Sequence, residues 1–139
     1  MNVKYKKYID YIVSDIELPY IKSLEAYGLK KDEMNMVLGI LFNQPVHYIE
    51  PMSGVYNKDK VSIYSETSNG YWIKYDYDDN GNLIYREDAD GYWTKKEYDT
   101  NGNLIYYENS NGYWEKREYN SNGNETYYET SIGEIEDNR

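Results

Sequence analysis

The stretch "YDTNGNLIYYENSNGYW", from Tyr98 to Trp114, decides the fold of this chain. It holds two short runs of aromatic and branched residues, and an Asn-Gly pair bounds each run. Similar sequences occur upstream from Tyr77 ("YDDNGNLIYREDADGYW") and downstream from Tyr119 ("YNSNGNETYYETSIGEI"). Asn-Gly and Asp-Gly between such runs are the strongest local signal for a β-hairpin. The pattern therefore predicts a series of antiparallel hairpins with a period of 21 residues.

We expect seven strands in this repeat region, joined as an antiparallel meander. A turn glycine recurs every 10 or 11 residues, which limits the length of each strand. A fourth copy begins at Ile132-Gly133 and ends almost at once. The expected strands cover about residues 61–68, 71–78, 82–89, 92–99, 103–110, 113–120 and 124–131.

The odd period also predicts which residues share a face of the sheet. Two hairpins with two-residue loops would shift equivalent residues by an even number, so one loop in each repeat must be odd. We place a three-residue loop with a bulge at the "DTNGN" turns and a two-residue loop before each Tyr-Trp pair. This choice puts the tryptophans in one column, Trp72, Trp93 and Trp114. It puts a tyrosine column on the opposite face, formed by Tyr64, Tyr85, Tyr106 and Tyr127, with Glu66, Glu87, Glu108 and Glu129 beside it.

The first third of the chain has a helical pattern instead. An apolar stripe at i, i+3, i+4 and i+7 runs from Tyr5 to Ile12. Pro19 is suited to the first turn of a second helix that ends at Gly28. Asp32 can cap a third helix. We therefore predict three short helices over about residues 3–43, followed by the connector "NQPVHYIEPMSG".

The expected fold is α+β, with a helical N-terminal segment in residues 1–50 and a single antiparallel meander sheet in residues 51–139. Rings and charges mix on both predicted faces, so we expect a single-layered sheet with much of both sides in water. We expect the helices to cover part of one face or one end, and the acidic tail "EIEDNR" to blunt the remaining edge.

The words "DADGYWTKKEYDTNGNL" resemble the YD repeats of RHS proteins. In that family a glycine, a short strand, a Tyr-Asp pair and a glycine-containing turn recur at about this length. The matching pairs here are Tyr77-Asp78 and Tyr98-Asp99, whereas Tyr119-Asn120 departs from the pattern. The resemblance covers about residues 61–135. Large proteins of that family wrap many repeats into a shell around a toxin, and about three and a half copies cannot enclose anything. Tyr-rich copies like these also resemble repeats of small phage-encoded proteins.

Charge narrows the class of partner. The net charge is −10, and the repeats carry most of it: residues 1–50 hold 6 Lys/Arg and 7 Asp/Glu, whereas the rest hold 9 and 18. Such acidity argues against direct binding of nucleic acid or of an anionic membrane. The N-terminus lacks the pattern of a signal peptide, and no apolar run is long enough for a membrane helix. We therefore expect a soluble, cytoplasmic protein, in the host cytoplasm if it is phage-encoded.

The sequence contains few of the residues and motifs that catalytic sites use. It has no Cys, a single histidine at His47, and no glycine loop that would cradle phosphate. We therefore expect no enzyme activity, no catalytic residues, no cofactor and no metal. One alternative stays open, because an EF-hand spacing occurs at Asp76, Asp78, Asn80, Gly81, Leu83 and Glu87. Its context is strand-like and lacks the flanking helices, so we expect no tight calcium site.

These observations favour a non-enzymatic protein-binding module that docks on a basic protein surface. A concrete version is a small acidic phage-encoded inhibitor of a nucleic-acid-handling host defence protein, such as a CRISPR effector. The alternative is an aromatic repeat protein that binds carbohydrate or another surface. The candidate binding residues are Trp72, Trp93, Trp114, Tyr85, Tyr106, Tyr127, Glu97 and Glu118. The sequence leaves the identity of the partner and the oligomeric state open.

Overall fold

The structure, a computed structural model, describes residues 3–49 and 54–139. The helices are α1 (Val3–Asp15), α2 (Tyr20–Glu25) and α3 (Lys31–Phe42), so the three predicted helices are present. The predicted cap at Asp32 is wrong, because Lys30 is the N-cap of α3 and Asp32 lies in the first turn. Ten strands follow: β1 (Val46–Ile49), β2 (Gly54–Asn57), β3 (Ser62–Glu66), β4 (Trp72–Tyr77), β5 (Leu83–Asp88), β6 (Trp93–Tyr98), β7 (Leu104–Asn109), β8 (Trp114–Tyr119), β9 (Glu125–Thr130) and β10 (Ile135–Asp137). Their order in the sheet is their order in the chain, so the α+β class and the antiparallel meander are confirmed.

The strand count exceeds the predicted seven for two physical reasons. In the predicted connector, Val46 and Tyr48 alternate into the core, so this segment forms β1 and pairs with β2. In the acidic tail, the turn that ends at Gly133 has the same hydrogen bonds as the turns before it and returns the chain onto β9. The tail is therefore the edge strand β10. The predicted domain boundary, between residues 50 and 51, lies outside the described residues.

The chain forms two compact units, residues 1–73 and 74–139. Every hydrophobic side chain that the structure shows as buried lies in the first unit, where the helices supply a second layer. The largest fully buried ones are Tyr48, Tyr64, Ile9, Ile12, Ile21, Leu24, Leu38, Val37 and Val55. Among the described residues, no helix is long and apolar enough to cross a membrane.

The seven turns from Thr67 to Glu134 are built alike. In one example, Gly91 donates its N–H to the Asp88 carbonyl and Asp88 donates to the Tyr92 carbonyl, both at 3.0 Å. Gly91 has a φ of 82°, but Asp90 does not have a positive φ. A two-residue type I′ turn would need a positive φ at both of its central residues. The loops before the Tyr-Trp pairs therefore have three residues, and the predicted two-residue loops are wrong. The cause is local: Oδ1 of Asp88 accepts the N–H groups of Asp90 and Tyr92 and holds this turn.

A bulge in each repeat, and not a difference between turns, produces the odd period. Glu97 pairs with Tyr106, but the next residue, Tyr98, pairs with Leu104, so Ile105 is the extra residue. The same shift follows Glu118 in the next copy. Equivalent residues therefore do keep one face of the sheet.

The predicted placement of the tyrosine column opposite the tryptophans is wrong. Trp93 pairs directly with Glu87, and Lys95 pairs with Tyr85. Directly opposed residues of an antiparallel pair point to the same face. The next copy repeats this arrangement with Trp114 against Glu108 and Lys116 against Tyr106. One face thus carries the tryptophans, lysines, tyrosines and glutamates. The reason is that both turns of a repeat have three-residue loops, whereas the prediction requires one loop of three residues and one of two.

Candidate protein-binding face

We call the side of β5–β10 that carries Trp93 and Trp114 the Trp face. Each even-numbered strand of the two central copies presents a Trp-x-Lys-x-Glu row, and each odd-numbered strand presents a Tyr-x-Glu pair. Seven of the eight predicted residues lie on this face: Trp93, Trp114, Tyr85, Tyr106, Tyr127, Glu97 and Glu118. The eighth, Trp72, begins β4 and belongs to the first unit.

Neighbouring side chains hold the tryptophan rings of the Trp face in place. Trp93 stacks on Tyr85 with ring centroids 6.4 Å apart. The ammonium of Lys95 lies 5.1 Å from the centroid of Trp93, and that of Lys116 lies 4.9 Å from Trp114. Such cation–π contacts restrain both partners. Rings that are half-buried and already restrained lose less conformational freedom when a partner binds.

The Tyr-x-Glu pairs are internally hydrogen-bonded. The tyrosine hydroxyl donates to the glutamate two residues later, at 3.4 Å in Tyr85–Glu87, 3.3 Å in Tyr106–Glu108 and 2.7 Å in Tyr127–Glu129. Burial and the nearby carboxylate raise the pKa of Tyr85 and of Tyr106, and the hydrogen bond to Glu129 raises the pKa of Tyr127. The hydroxyls therefore stay protonated as donors, and each carboxylate keeps further lone pairs for other donors.

Negative charge concentrates on the Trp face. Its strand positions in β5–β10 carry Glu87, Glu97, Glu108, Glu118, Glu129 and Asp137 against Lys95 and Lys116. The opposite side of the same strands is nearly balanced, with Asp88, Glu115, Glu125 and Glu136 against Arg86, Lys96 and Arg117. The acidity of the repeats is therefore directional.

Two arginines of the opposite face are paired with carboxylates of the same face, and Arg86 binds Asp88 at 3.2 Å. Arg117 binds Glu115 at 2.9 Å and Glu125 at 3.1 Å, and its guanidinium lies 4.8 Å from the ring centroid of Tyr128. Although burial alone would raise the pKa of Glu115, hydrogen bonds from Arg117 and Tyr113 lower it. This network occupies both carboxylates with partners within the chain, although Nε of Arg117 is buried without a hydrogen-bond partner.

A shallow depression of about 340 Å³ lies on the Trp face. Its wall includes Glu97, Tyr106, Lys116, Glu118, Tyr127 and Arg139. It brings together four of the predicted residues and adds Arg139, which pairs with Glu118 at 3.1 Å and lies 4.2 Å from the ring centroid of Tyr127. Arg139 follows the last repeat copy, so the repeat pattern carried no signal for it.

The EF-hand-like spacing corresponds to a hairpin turn. Oδ1 of Asp78 accepts the backbone N–H groups of Asn80 and Asn82, each at 2.9 Å, and Oδ2 accepts the Asn82 side-chain amide at 3.1 Å. These bonds, that from the Asn82 backbone foremost, lower the pKa of Asp78. Within the described residues no group of three or more His, Cys, Asp or Glu is placed to hold a metal ion. Asp78 therefore acts as a turn cap.

No protein-family model matches the sequence, and no curated protein matches it significantly. The resemblance to YD repeats stays a prediction that rests on the residues quoted above.

Proposed function

We propose that this protein is a non-enzymatic binding module that docks through its Trp face on a basic surface of another protein. The observation that carries the proposal is that the rings and the excess acids share one face. Tight interfaces place aromatic anchors at the centre and charged residues at the rim. A face of net negative charge also speeds the approach of a basic partner.

In its finer form, the proposal is a small phage-encoded inhibitor of a nucleic-acid-handling host defence protein such as a CRISPR effector. Two features support it: a directional acidic face suits a surface that normally receives phosphates, and the repeats resemble those of small phage proteins. Binding of carbohydrate is the weaker candidate. Lys95 and Lys116 lie over the tryptophan rings on which a sugar would stack.

The test compares two double variants that remove the same charge from exposed glutamates. Glu97→Gln/Glu118→Gln acts on the Trp face, and Glu125→Gln/Glu136→Gln acts on the opposite face. Each pair includes one glutamate with an arginine partner, so the loss of an ion pair is matched. Proteins captured from the host lysate are identified by mass spectrometry, and their binding is then measured by surface plasmon resonance at two ionic strengths.

We expect the first variant to slow association several-fold at low salt, with a smaller difference at high salt because screening grows. The control variant should bind as the unaltered chain does. Equal effects of the two variants would remove the Trp face from the proposal. Binding that is independent of salt and survives deletion of residues 74–139 would assign the function to the first unit.

A further inference from the structure

Two side chains of the first repeat copy accept hydrogen bonds from the start of α2. Glu66 of β3 accepts the backbone N–H groups of Ile21 at 3.0 Å and of Lys22 at 2.8 Å. The Tyr64 hydroxyl accepts the N–H of Tyr20 at 3.0 Å and donates to Glu66 at 2.5 Å. One Tyr-x-Glu pair thus satisfies three successive N–H groups in the first turn of α2.

The N–H groups at the start of α2 need acceptors from outside the helix. The first N–H groups of any helix lack partners within it, and a side chain at the preceding residue commonly supplies one. The residue that precedes α2 is Pro19, whose side chain has no acceptor. The carboxylate of Glu66 supplies the acceptors from the sheet, and its negative charge is favourable at the positive end of a helix.

The turn after β3 completes the binding position. A Cβ at Gly70 would lie 3.2 Å from Cγ of Pro19 and 3.5 Å from Cδ of Lys22, so the helix start rests against this glycine. We call the combination of tyrosine, glutamate two residues later and turn glycine four residues after that a Tyr-Glu-Gly seat.

The same seat occurs three more times, at identical spacing. Its members are Tyr85, Glu87 and Gly91; Tyr106, Glu108 and Gly112; and Tyr127, Glu129 and Gly133. In each of these the tyrosine donates to the glutamate, as in the first. The side chains are half-buried on the Trp face, and at the three glycines no described heavy atom beyond the glycine and its two chain neighbours lies within 4 Å of the Cβ position.

We infer that these three seats bind helix N-termini of the partner protein. The occupant is a helix whose first turn presents unpaired N–H groups and whose preceding residue, like Pro19, offers no acceptor of its own. Successive seats are two strands apart, about 9.6 Å. Packed helices lie about 8–10 Å apart, so neighbouring helices that begin at one surface match this spacing. The inference rests on the proposed function and names the part of the partner that is recognised.

A helix-stapled peptide with the sequence of residues 17–28 serves as the probe, added to the full ¹⁵N-labelled chain. We expect amide shifts at Gly91, Gly112 and Gly133. Glu87→Gln/Glu108→Gln/Glu129→Gln should raise the Kd at least about tenfold, because bonds to charged acceptors are the strong ones. The matched control, Asp79→Asn/Glu125→Gln/Glu136→Gln, removes three charges from exposed side chains outside the seats and should change the Kd less than about twofold.

A second control is the same peptide methylated at the two backbone nitrogens that correspond to Ile21 and Lys22, which should not shift the glycines. Absent shifts, or equal weakening by the two triple variants, would overturn the inference. Shifts that grow with protein concentration without peptide would assign the seats to a second copy and also overturn it. If the peptide fails while lysate capture still depends on Glu97 and Glu118, the proposed function stands without the seats. If that dependence is also absent, the proposed function fails as well.

Discussion

Two copies of one repeat have opposite environments in this molecule. Tyr64 and Glu66 are buried, because the start of α2 lies on them. Tyr106 and Glu108 have the same spacing, the same strand position and the same internal hydrogen bond, but they are half-buried. The difference teaches that the repeat encodes a geometry of donors and acceptors, whereas burial depends on which element arrives against it.

The two units also differ in what stabilises them. The first has a hydrophobic core, whereas residues 74–139, all of which the structure describes, contain no buried hydrophobic side chain. The buried side chains there are Asp88 and Thr130, and both accept backbone N–H groups of a turn. Cross-strand pairs, at about 0.2–1 kcal/mol each, supply the remaining stabilisation of this thin sheet.

The largest expected effect contrasts Glu66→Ala with Glu108→Ala. Loss of Glu66 leaves the buried N–H of Ile21 and the part-buried N–H of Lys22 without this acceptor, which should lower the free energy of unfolding of the first unit by about 3 kcal/mol. Glu108→Ala removes a half-buried acceptor and should cost less than about 1 kcal/mol. Chemical denaturation together with amide exchange of residues 20–25 measures both. Equal costs would contradict the difference in environment.

Binding should show the reverse preference. Trp93→Ala, in the central copy of the Trp face, should cost more than about 2 kcal/mol of affinity for the captured partner, the usual threshold for a hot spot. It should leave amide exchange in the first unit unchanged. Isothermal titration calorimetry measures the loss. An unchanged affinity would mean that the partner contacts another part of the chain.

A smaller contrast concerns equivalent turn glycines. Gly70 and Gly91 both have a positive φ, so alanine at either position should cost about 1 kcal/mol of backbone strain. Only Gly70 is packed against Pro19, so Gly70→Ala should cost about 1 kcal/mol more. Denaturation midpoints of the two variants give the difference. Equal midpoints would show that α2 does not rest on this turn.

The smallest effect is a pH dependence of the second unit. Hydrogen bonds from the turn, those of the Asn82 and Asn103 backbones first, lower the pKa of Asp78 and of Asp99 below the ordinary value of 3.8. A carboxyl group with a lowered folded-state pKa stabilises the fold above its unfolded pKa, and this contribution disappears as the pH falls through the folded value. The free energy of unfolding of residues 74–139, measured by chemical denaturation at a series of pH values, should therefore decrease as the pH falls below about 4.

The matched variant is Asp78→Asn/Asp99→Asn. Asn120 already makes the same turn contacts in the third copy, accepting the N–H groups of Asn122 and Asn124 at 3.0 Å. The variant should therefore keep the fold and reduce the dependence on pH. An undiminished dependence would place its origin elsewhere, for example at Asp137, whose hydrogen bonds with Arg139 lower its pKa to about 2.

The sequence by itself determined the helices, the hairpin period and the shared face of equivalent residues. These features depend on short-range chemistry: apolar spacing, Pro19 and the turn glycines act within a few residues. It also indicated seven residues that the structure brings together on the Trp face. The sequence pattern did not predict the short strands β1, β2 and β10, because three or four residues between irregular segments give little periodicity.

Only the tertiary structure decided that tryptophans and tyrosines share a face. A one-residue change in register moves a whole strand's side chains to the other side. The register here depends on the three-residue loops after residues such as Asp88 and on the bulge at Ile105, two backbone features that apolar alternation does not encode. Likewise, Glu66 acts as a helix cap because Ile21 and Lys22, more than forty residues away in the chain, arrive against it. A contact of that range follows from packing of the folded chain, and no local pattern in the sequence carries it.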